Sequence, residues 1–307
     1  MSYLRSGLDT SGLNPSGVIN SNFILDKVPG AVAAFSCNRV LKTSYIGQSL
    51  IRVRRSSDNV EQNIIPIGNI LDSSSLNAFA GANNAYADIL YNQINTNNAN
   101  FIQATLANQP LIISSGNINK LNNKPALNFN GTSQYYLGQS GLLPILNNAP
   151  GGTVFCVANF TTYSTIGILY VFSTGTSASG RMAFGADLNA SYLQGDFRRL
   201  DADAATYTNF TSPVNSKQYI TTYVVNTPAG TSQLRANGTQ VGSTTGGTTG
   251  NFIATNSQYA TIGQNGTLTA TNYYSGNIQE LIIFPFVLNN SQIAIVEADL
   301  DRFYGVY

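Results

Sequence analysis

The stretch Ser275-Gly276-Asn277-Ile278-Gln279-Glu280-Leu281-Ile282-Ile283-Phe284 predicts a long β-strand near the end of the chain. It is the last of a regular series that begins after Pro125. Turn signals such as Asn130-Gly131 and Asn237-Gly238 separate the members of this series. The other strand candidates are Ala126–Phe129, Tyr135–Leu137, Thr153–Asn159, Ile168–Phe172, Arg181–Ala186, Tyr192–Phe197, Tyr219–Asn226, Gln233–Ala236 and Tyr259–Ile262. Short strands at this spacing predict a sandwich or barrel rather than a parallel sheet.

The composition favours the same all-β class. Charged residues make up 9% of the 307 residues, against about 25% in an ordinary globular protein. Long helices need charged residues for their solvent faces, whereas the Asn, Ser, Thr and 28 Gly of this chain suit tight turns. One good helix is predicted after Ser291, where Ile293, Val296, Leu300 and Phe303 have helical spacing, with Asp299 and Asp301 on its solvated face. A shorter helix is predicted after Leu71, ending near Gly81.

Residues 1–30 differ from the rest of the chain. They are rich in Gly, Ser, Asn and Pro, with isolated apolar residues, and they predict an extended N-terminal arm. Residues 31–307 are then expected to form one continuous sandwich. The arm is expected to attach this sandwich to another chain, by adding main-chain hydrogen bonds and filling pockets with alternate side chains. The alternative is that the arm folds back along its own sandwich.

Charge and residue usage exclude several classes of function. A net charge of +1 gives little attraction to nucleic acid. No run of 18 apolar residues is present, so no membrane insertion is expected. The absence of His removes the commonest metal ligand, and no cofactor or metal is predicted. The acidic cluster of Asp196, Asp201 and Asp203 leaves calcium open as an alternative, and the sequence does not decide whether Cys37 and Cys156 form a bridge.

Two stretches resemble known families. The elements Leu127–Gly131, Arg235–Thr239 and residues 275–284, followed by the closing helix, resemble in their order a laminin-G-like or concanavalin A-like jelly roll. The stretch from Ala34 to about Ala104, with Arg39-Val40-Leu41-Lys42-Thr43-Ser44-Tyr45-Ile46-Gly47, is similar to the opening of the catalytic domain of type-B α-L-arabinofuranosidases. Together the resemblances imply a concanavalin A-like β-sandwich with a short C-terminal helix.

The catalytic residues that this family implies are missing at the matching positions. In the alignment, the nucleophilic Glu falls at Ala183, and the acid/base Asp falls near Gln264–Asn265. The adjacent cysteine pair that lines the family's sugar subsite falls near Ile168-Leu169. Retaining glycosidases need two carboxyl groups. We therefore expect no catalytic residues and no enzymatic activity.

The leading hypothesis from the sequence is a non-enzymatic structural or surface-display protein of a phage-like particle, located on the virion exterior. Its expected partners are other virion proteins, sister subunits in a homo-oligomer and, as a further possibility, cell-surface glycans. The first alternative is a carbohydrate-binding adhesin, and the second is an arabinofuranosidase-like glycoside hydrolase. For sugar binding, the candidate residues are Tyr135, Tyr136, Tyr273 and Tyr274, because tyrosine rings can stack on sugar rings.

Overall fold

The computed structural model describes residues 23–94, 97–163, 166–173, 182–187, 192–200, 202–253, 259–265 and 272–307. The strands before residue 140 are β1 (Ala33–Ser36), β2 (Ile51–Arg55), β3 (Glu61–Ile64), β4 (Ala85–Leu90), β5 (Phe101–Ile102), β6 (Leu111–Ser114), β7 (Asn117–Ile118), β8 (Lys120–Leu121), β9 (Lys124–Pro125), β10 (Leu127–Asn130) and β11 (Tyr136–Gly138). The later strands are β12 (Gly151–Phe160), β13 (Gly167–Ser173), β14 (Met182–Asp187), β15 (Tyr192–Phe197), β16 (Thr206–Phe210), β17 (Gln218–Asn226), β18 (Thr231–Ala236), β19 (Thr239–Thr244), β20 (Tyr259–Ile262) and β21 (Ser275–Phe284). The α-helices are α1 (Ile24–Lys27), α2 (Ser73–Ala80) and α3 (Asn290–Tyr304), and 3₁₀ turns occupy Thr43–Tyr45, Leu106–Asn108 and Ser140–Leu142.

The strands form two layers of antiparallel sheet, which confirms the predicted all-β sandwich. The front layer has the order β16–β15–β14–β13–β20–β11–β5–β4–β2–β3. The back layer has the order β19–β18–β17–β12–β21, and β1 and β10 both lie beside β21 on its far side. Strand β6 pairs with β10 of the back layer and with β4 of the front layer, so the two layers are joined at this edge.

The central strands of the back layer are buried on both faces. Every residue of β12 is buried, and β21, the long strand predicted near the end of the chain, is buried from Ile278 to Phe284. Cys156 and Leu281 face the core between the layers, whereas Phe155 and Ile282 face a second apolar cluster outside the back layer. Because both faces are covered, these strands have continuous apolar runs instead of alternation.

Helix α3 covers the outer face of the back layer. Its apolar residues Ile293, Val296, Leu300 and Tyr304 are buried against this face. Asn289 and Gln292 form a capping box at the N-terminus, and Gly305 ends the helix at φ +61°. The predicted helix is therefore confirmed. The shorter predicted helix is also present as α2, with Asp72 as its N-cap and Gly81 as its C-cap.

The prediction that Asp299 lies on a solvated face of α3 is wrong. Asp299 is 5% exposed, and its Oδ2 is 2.8 Å from Nη1 of Arg39. Arg39 also donates two hydrogen bonds to the buried carboxylate of Glu280, and Tyr304 Oη donates a third, at 2.8 Å. The spacing of apolar residues locates the buried face of a helix, but it cannot show that an arginine 260 positions earlier meets an aspartate beside that face.

The N-terminal arm was predicted to extend to residue 30, and its described part is not extended. Residues 1–22 lie outside the described residues. Helix α1 and the residue after it place Ile24, Leu25 and Val28 in the apolar cluster beneath α3, each at most 2% exposed. The folding-back alternative therefore holds for this part, because three adjacent apolar side chains gain more by packing on the sandwich than in solvent.

The described residues settle two smaller questions. Cys37 and Cys156 are both buried free thiols, so they do not form a bridge. Among the helices of the described ranges, none is long and apolar enough to cross a membrane.

Candidate functional site

Strands β14, β15 and β16 bring three side chains into one row on the solvent face of the front layer. Ala183 of β14 is directly opposite Asp196 of β15, and Asp196 is directly opposite Tyr207 of β16. Their neighbours Phe184 and Phe197 are buried in the core between the layers. Since side chains alternate along a strand, the row containing Asp196 lies on the opposite, outer face.

A cavity of about 190 Å³ lies over this row, and we call it the Asp196 pocket. Its polar side chains come from two strands, β15 and β16, and from Asn265 and Asn272, which lie between β20 and β21 in the chain. The lining consists of Ile166, Ile168, Ala183, Phe184, Gly185, Ala186, Gln194, Asp196, Tyr207, Asn265 and Asn272. Ala183 and Gly185 have small side chains, so the floor of the pocket stays open beside the carboxyl group of Asp196.

The carboxyl group of Asp196 is poorly solvated. Its Oδ1 is buried and has no hydrogen-bond partner among the described residues. Burial raises the pKa of Asp196 to about 7, although the charge of Arg198 and the backbone of Ala183 both act to lower it. The desolvation outweighs these two effects because removal from water penalises the charged form. Near neutral pH the group is therefore divided between its protonated and ionised forms.

Amide side chains surround this carboxyl group. Asn265 is 8% exposed, and its Oδ1 is also buried without a hydrogen-bond partner in the described part of the chain. Gln194, two residues before Asp196 on the same face, donates from Nε2 to Oδ1 of Asn209 at 3.0 Å. Buried polar atoms are normally paired, so two unpaired oxygens in one pocket point to a hydrogen-bond donor that occupies it. Amide and carboxyl groups both form hydrogen bonds with hydroxyl groups, so this lining suits a sugar.

The tyrosines predicted to bind sugar divide into two pairs. Tyr136 and Tyr274 are completely buried, and their hydroxyl groups donate to the carbonyl oxygens of Ala87 and Asn159. Stacking on a sugar is wrong for these two, because alternation along the chain turns them into the core. Tyr135 and Tyr273 are partly exposed, with ring centroids 6.2 Å apart, and for them sugar binding stays a prediction.

The acidic cluster that left calcium open does not come together in the described residues. Asp196 faces its pocket from a strand, whereas Asp203 is paired with Arg199 at 3.2 Å. Asp201 lies outside the described residues. Among the residues that were described, no group of three or more acidic, cysteine or histidine side chains could hold a metal ion.

One family model matches the chain, that of the catalytic domain of alpha-L-arabinofuranosidase B, over residues 26–136. Solved structures extend the likeness. An arabinofuranosidase complexed with arabinofuranosyl-alpha-1,2-xylobiose has a TM-score of 0.66 at 16% identity, covering 90% of this chain and 64% of that one. A GH54 α-L-arabinofuranosidase soaked with a cyclic sulfate inhibitor has a TM-score of 0.64 with the same identity and coverage. The fold of this chain is thus that of the arabinofuranosidases, and the chain spans 64% of their length.

Weaker likenesses add little. The CBM40 module of the Ruminococcus gnavus IT-sialidase covers 56% of this chain at 14% identity, with a TM-score of 0.46, which is too low to support an argument. No curated protein sequence matches this one. None of these comparisons supports a role in a phage particle.

The comparisons overturn the prediction that the chain is not an enzyme. The family model that matches its opening is that of a catalytic domain, and solved arabinofuranosidases share its fold over 90% of its length. The prediction failed because it tested only the positions that align with the family's carboxylates. The register of β14 and β15 places Asp196 directly opposite Ala183, so a neighbouring strand supplies a carboxyl group to the same pocket. Sequence spacing alone gives no such register.

Proposed function

We propose that the Asp196 pocket binds an arabinofuranoside-bearing glycan and hydrolyses its glycosidic bond, with Asp196 as the general acid. One observation carries the proposal. Ile168, Ala183 and Asn265 are the positions at which the alignment places the family's sugar subsite and two catalytic residues, and all three line one cavity together with Asp196. Residues that are 97 positions apart in the chain thus meet where the arabinofuranosidase resemblance expects the active site.

The raised pKa of Asp196 suits the role of a general acid. A glycosidase must protonate the oxygen of the leaving group, and a carboxyl group with a raised pKa does this near neutral pH. A pKa of about 7 keeps a large share of Asp196 protonated at that pH. The neutral acid can then donate its proton to the glycosidic oxygen while the bond to the anomeric carbon breaks. Oδ1 has no hydrogen-bond partner among the described residues, so no protein group there competes for the proton.

The reaction also needs a group that activates water or attacks the anomeric carbon. Among the described residues that line the cavity, Asp196 carries the one carboxyl group. In the inverting mechanism the base is about 6.5–9.5 Å from the acid, so it can come from beyond the immediate lining.

The test is hydrolysis of 4-nitrophenyl α-L-arabinofuranoside by the full chain. We expect turnover in the wild type and a fall in kcat of about 10²–10⁴-fold in Asp196→Asn, the range for loss of a general acid. The rate should decline as the pH rises through about 7, because Asp196 then loses the proton that it donates.

Asp203→Asn is the matched control. Asp203 is the same residue type, seven positions further along, but it is paired with Arg199 and does not line the pocket. Its kcat should stay within about twofold of the wild type, because the lost ion pair lies outside the pocket and touches no reacting group. Absence of turnover on a panel of aryl furanosides and pyranosides, or full activity in Asp196→Asn, would refute the proposal.

A further inference from the structure

A second cavity of about 270 Å³ opens on the other half of the front layer, at the ends of β2, β3 and β4. We call it the amide pocket. Its lining includes Tyr45, Gln48, Asn63, Tyr91, Asn92 and Asn100. Five inter-strand steps separate β4 from β14, or about 24 Å across the sheet, so this cavity is distinct from the Asp196 pocket.

Asn92 forms the buried wall of the amide pocket. Its side-chain Oδ1 accepts hydrogen bonds from the backbone N–H groups of Ala34 and Ile94, both at 3.0 Å, which fixes the orientation of the amide. Its backbone N–H donates to Oδ1 of Asn100 at 3.0 Å. Asn92 is fully buried, yet its Nδ2 has no hydrogen-bond acceptor among the described residues. A buried amide donor without an acceptor is costly, so an oxygen from a ligand suits this wall.

The two tyrosines of the amide pocket are fixed by hydrogen bonds from their hydroxyl groups to other groups of the protein. Tyr45 Oη donates to the carbonyl oxygen of Ser49 at 2.7 Å, and Tyr91 Oη donates to Oδ1 of Asn63 at 2.7 Å. Each ring is therefore oriented before any ligand arrives, which reduces the entropy lost on binding. Tyr91 is partly exposed and presents its ring to the cavity.

The surroundings of the amide pocket favour a ligand without charge. All of its lining side chains are neutral. A strand cation close to the lining is Arg52, which lies opposite Asn63 in register. Arg52 is occupied by Glu61, at 2.9 Å, and by the buried carboxylate of Asp88. An anionic group would have to compete with two carboxylates for this arginine, so it gains little there.

We infer that the amide pocket is a second glycan-binding site, which takes a neutral, hydroxyl-rich sugar unit. Amides supply donors and acceptors for hydroxyl groups, and an oriented tyrosine supplies an apolar face. The inference goes beyond hydrolysis at the Asp196 pocket and does not require it.

The test is isothermal titration of the full chain carrying Asp196→Asn, which prevents consumption of the sugar. The probes are the neutral trisaccharides arabinotriose, xylotriose and cellotriose, with trigalacturonic acid as the anionic comparator. At least one neutral trisaccharide should bind, and Tyr91→Ala in the same background should weaken that binding about tenfold. Tyr307→Ala, an exposed tyrosine that lines neither the amide pocket nor the Asp196 pocket, is the matched control and should leave this binding unchanged.

A second readout does not depend on how well a variant folds. In ¹⁵N-labelled protein, the side-chain amide resonance of Asn92 should shift on addition of the sugar, because its Nδ2 gains an acceptor. The inference is overturned if no neutral trisaccharide binds, if Tyr91→Ala weakens the binding no more than Tyr307→Ala does, or if trigalacturonic acid binds more tightly. None of these outcomes depends on whether the wild type hydrolyses arabinofuranosides, so the two proposals can fail separately.

Discussion

Asp196 links the chemistry of the pocket to the stability of the fold. In the unfolded chain its carboxyl group has a pKa near 3.8, whereas in the folded chain burial raises the pKa to about 7. Between these two values the folded state binds more protons than the unfolded state. Stability contributed by this group is therefore present below about pH 4 and is lost as the pH rises to about 7.

We predict that Asp196→Asn becomes more stable relative to the wild type as the pH rises from 4 to 7. The amide has no proton to lose, so it escapes the cost of ionising a buried group. The relative gain should be on the order of 2 kcal/mol, since one unit of pKa corresponds to about 1.4 kcal/mol and solvent reaches part of the carboxyl group. Urea unfolding of both proteins at pH 4, 5.5, 7 and 8 measures it. A difference that does not change with pH would contradict the raised pKa.

At the scale of single residues, the sequence predicted less of the structure than it did for the elements or for the whole fold. The alignment located Ala183 and Asn265 in the pocket, and these positions do line one cavity. It could not locate Asp196, because its contact with that cavity depends on which residue of β15 pairs with Ala183. A shift of one residue in that register would turn Asp196 into the core and change the chemistry of the pocket.

Helix α3 and strands β1 and β21 are joined by charges as well as by apolar packing. Arg39, just after β1, contacts Glu280 of β21 and Asp299 of α3, and its guanidinium lies 4.4 Å from the ring centroid of Phe303. The sequence predicted β21 from its position in the strand series and α3 from the helical spacing of its apolar residues, but it did not predict β1. The ion pairs between them could not be predicted, because they depend on how the elements pack together in three dimensions.

We predict that Arg39→Met destabilises the protein by about 3–5 kcal/mol. The substitution leaves two buried carboxylates without their cation, and removing one member of a buried ion pair has a cost of this size. Arg55→Met is the control, because Arg55 is paired with Asp58, whose side chain is 41% exposed and not buried. Its change in the free energy of unfolding should be under about 1 kcal/mol. Equal effects in the two variants would contradict a structural role for the buried network.

At the scale of the whole molecule, each layer is formed by strands that are far apart in the sequence. Strands β1 and β10 both pair with β21, and β6 connects the layers. The sequence predicted the two-layer class from strand and turn spacing. It did not predict that β6 joins the two layers, because that connection depends on the pairing of Asn128 with Leu111 and of Ala85 with Ile113.

We predict a single unfolding transition for residues 31–307. Neither half of the chain can complete its sheet without the other, so partial unfolding would expose the shared core. Limited proteolysis should leave one fragment that reaches the C-terminus, and calorimetry should give equal calorimetric and van't Hoff enthalpies. A stable fragment cut at residues 110–125 would show that the chain unfolds as two units.

Covalent labelling of the thiols of Cys37 and Cys156 can detect this single unfolding transition. Cys37 and Cys156 both belong to the core between the layers, and burial raises the pKa of Cys37 to about 12. Attack on a disulfide reagent requires the thiolate, so neither cysteine should react while the layers are closed. Their modification should then proceed at one common rate that follows opening of the whole sandwich. For the same reason, the folded protein should behave alike in oxidising and reducing surroundings.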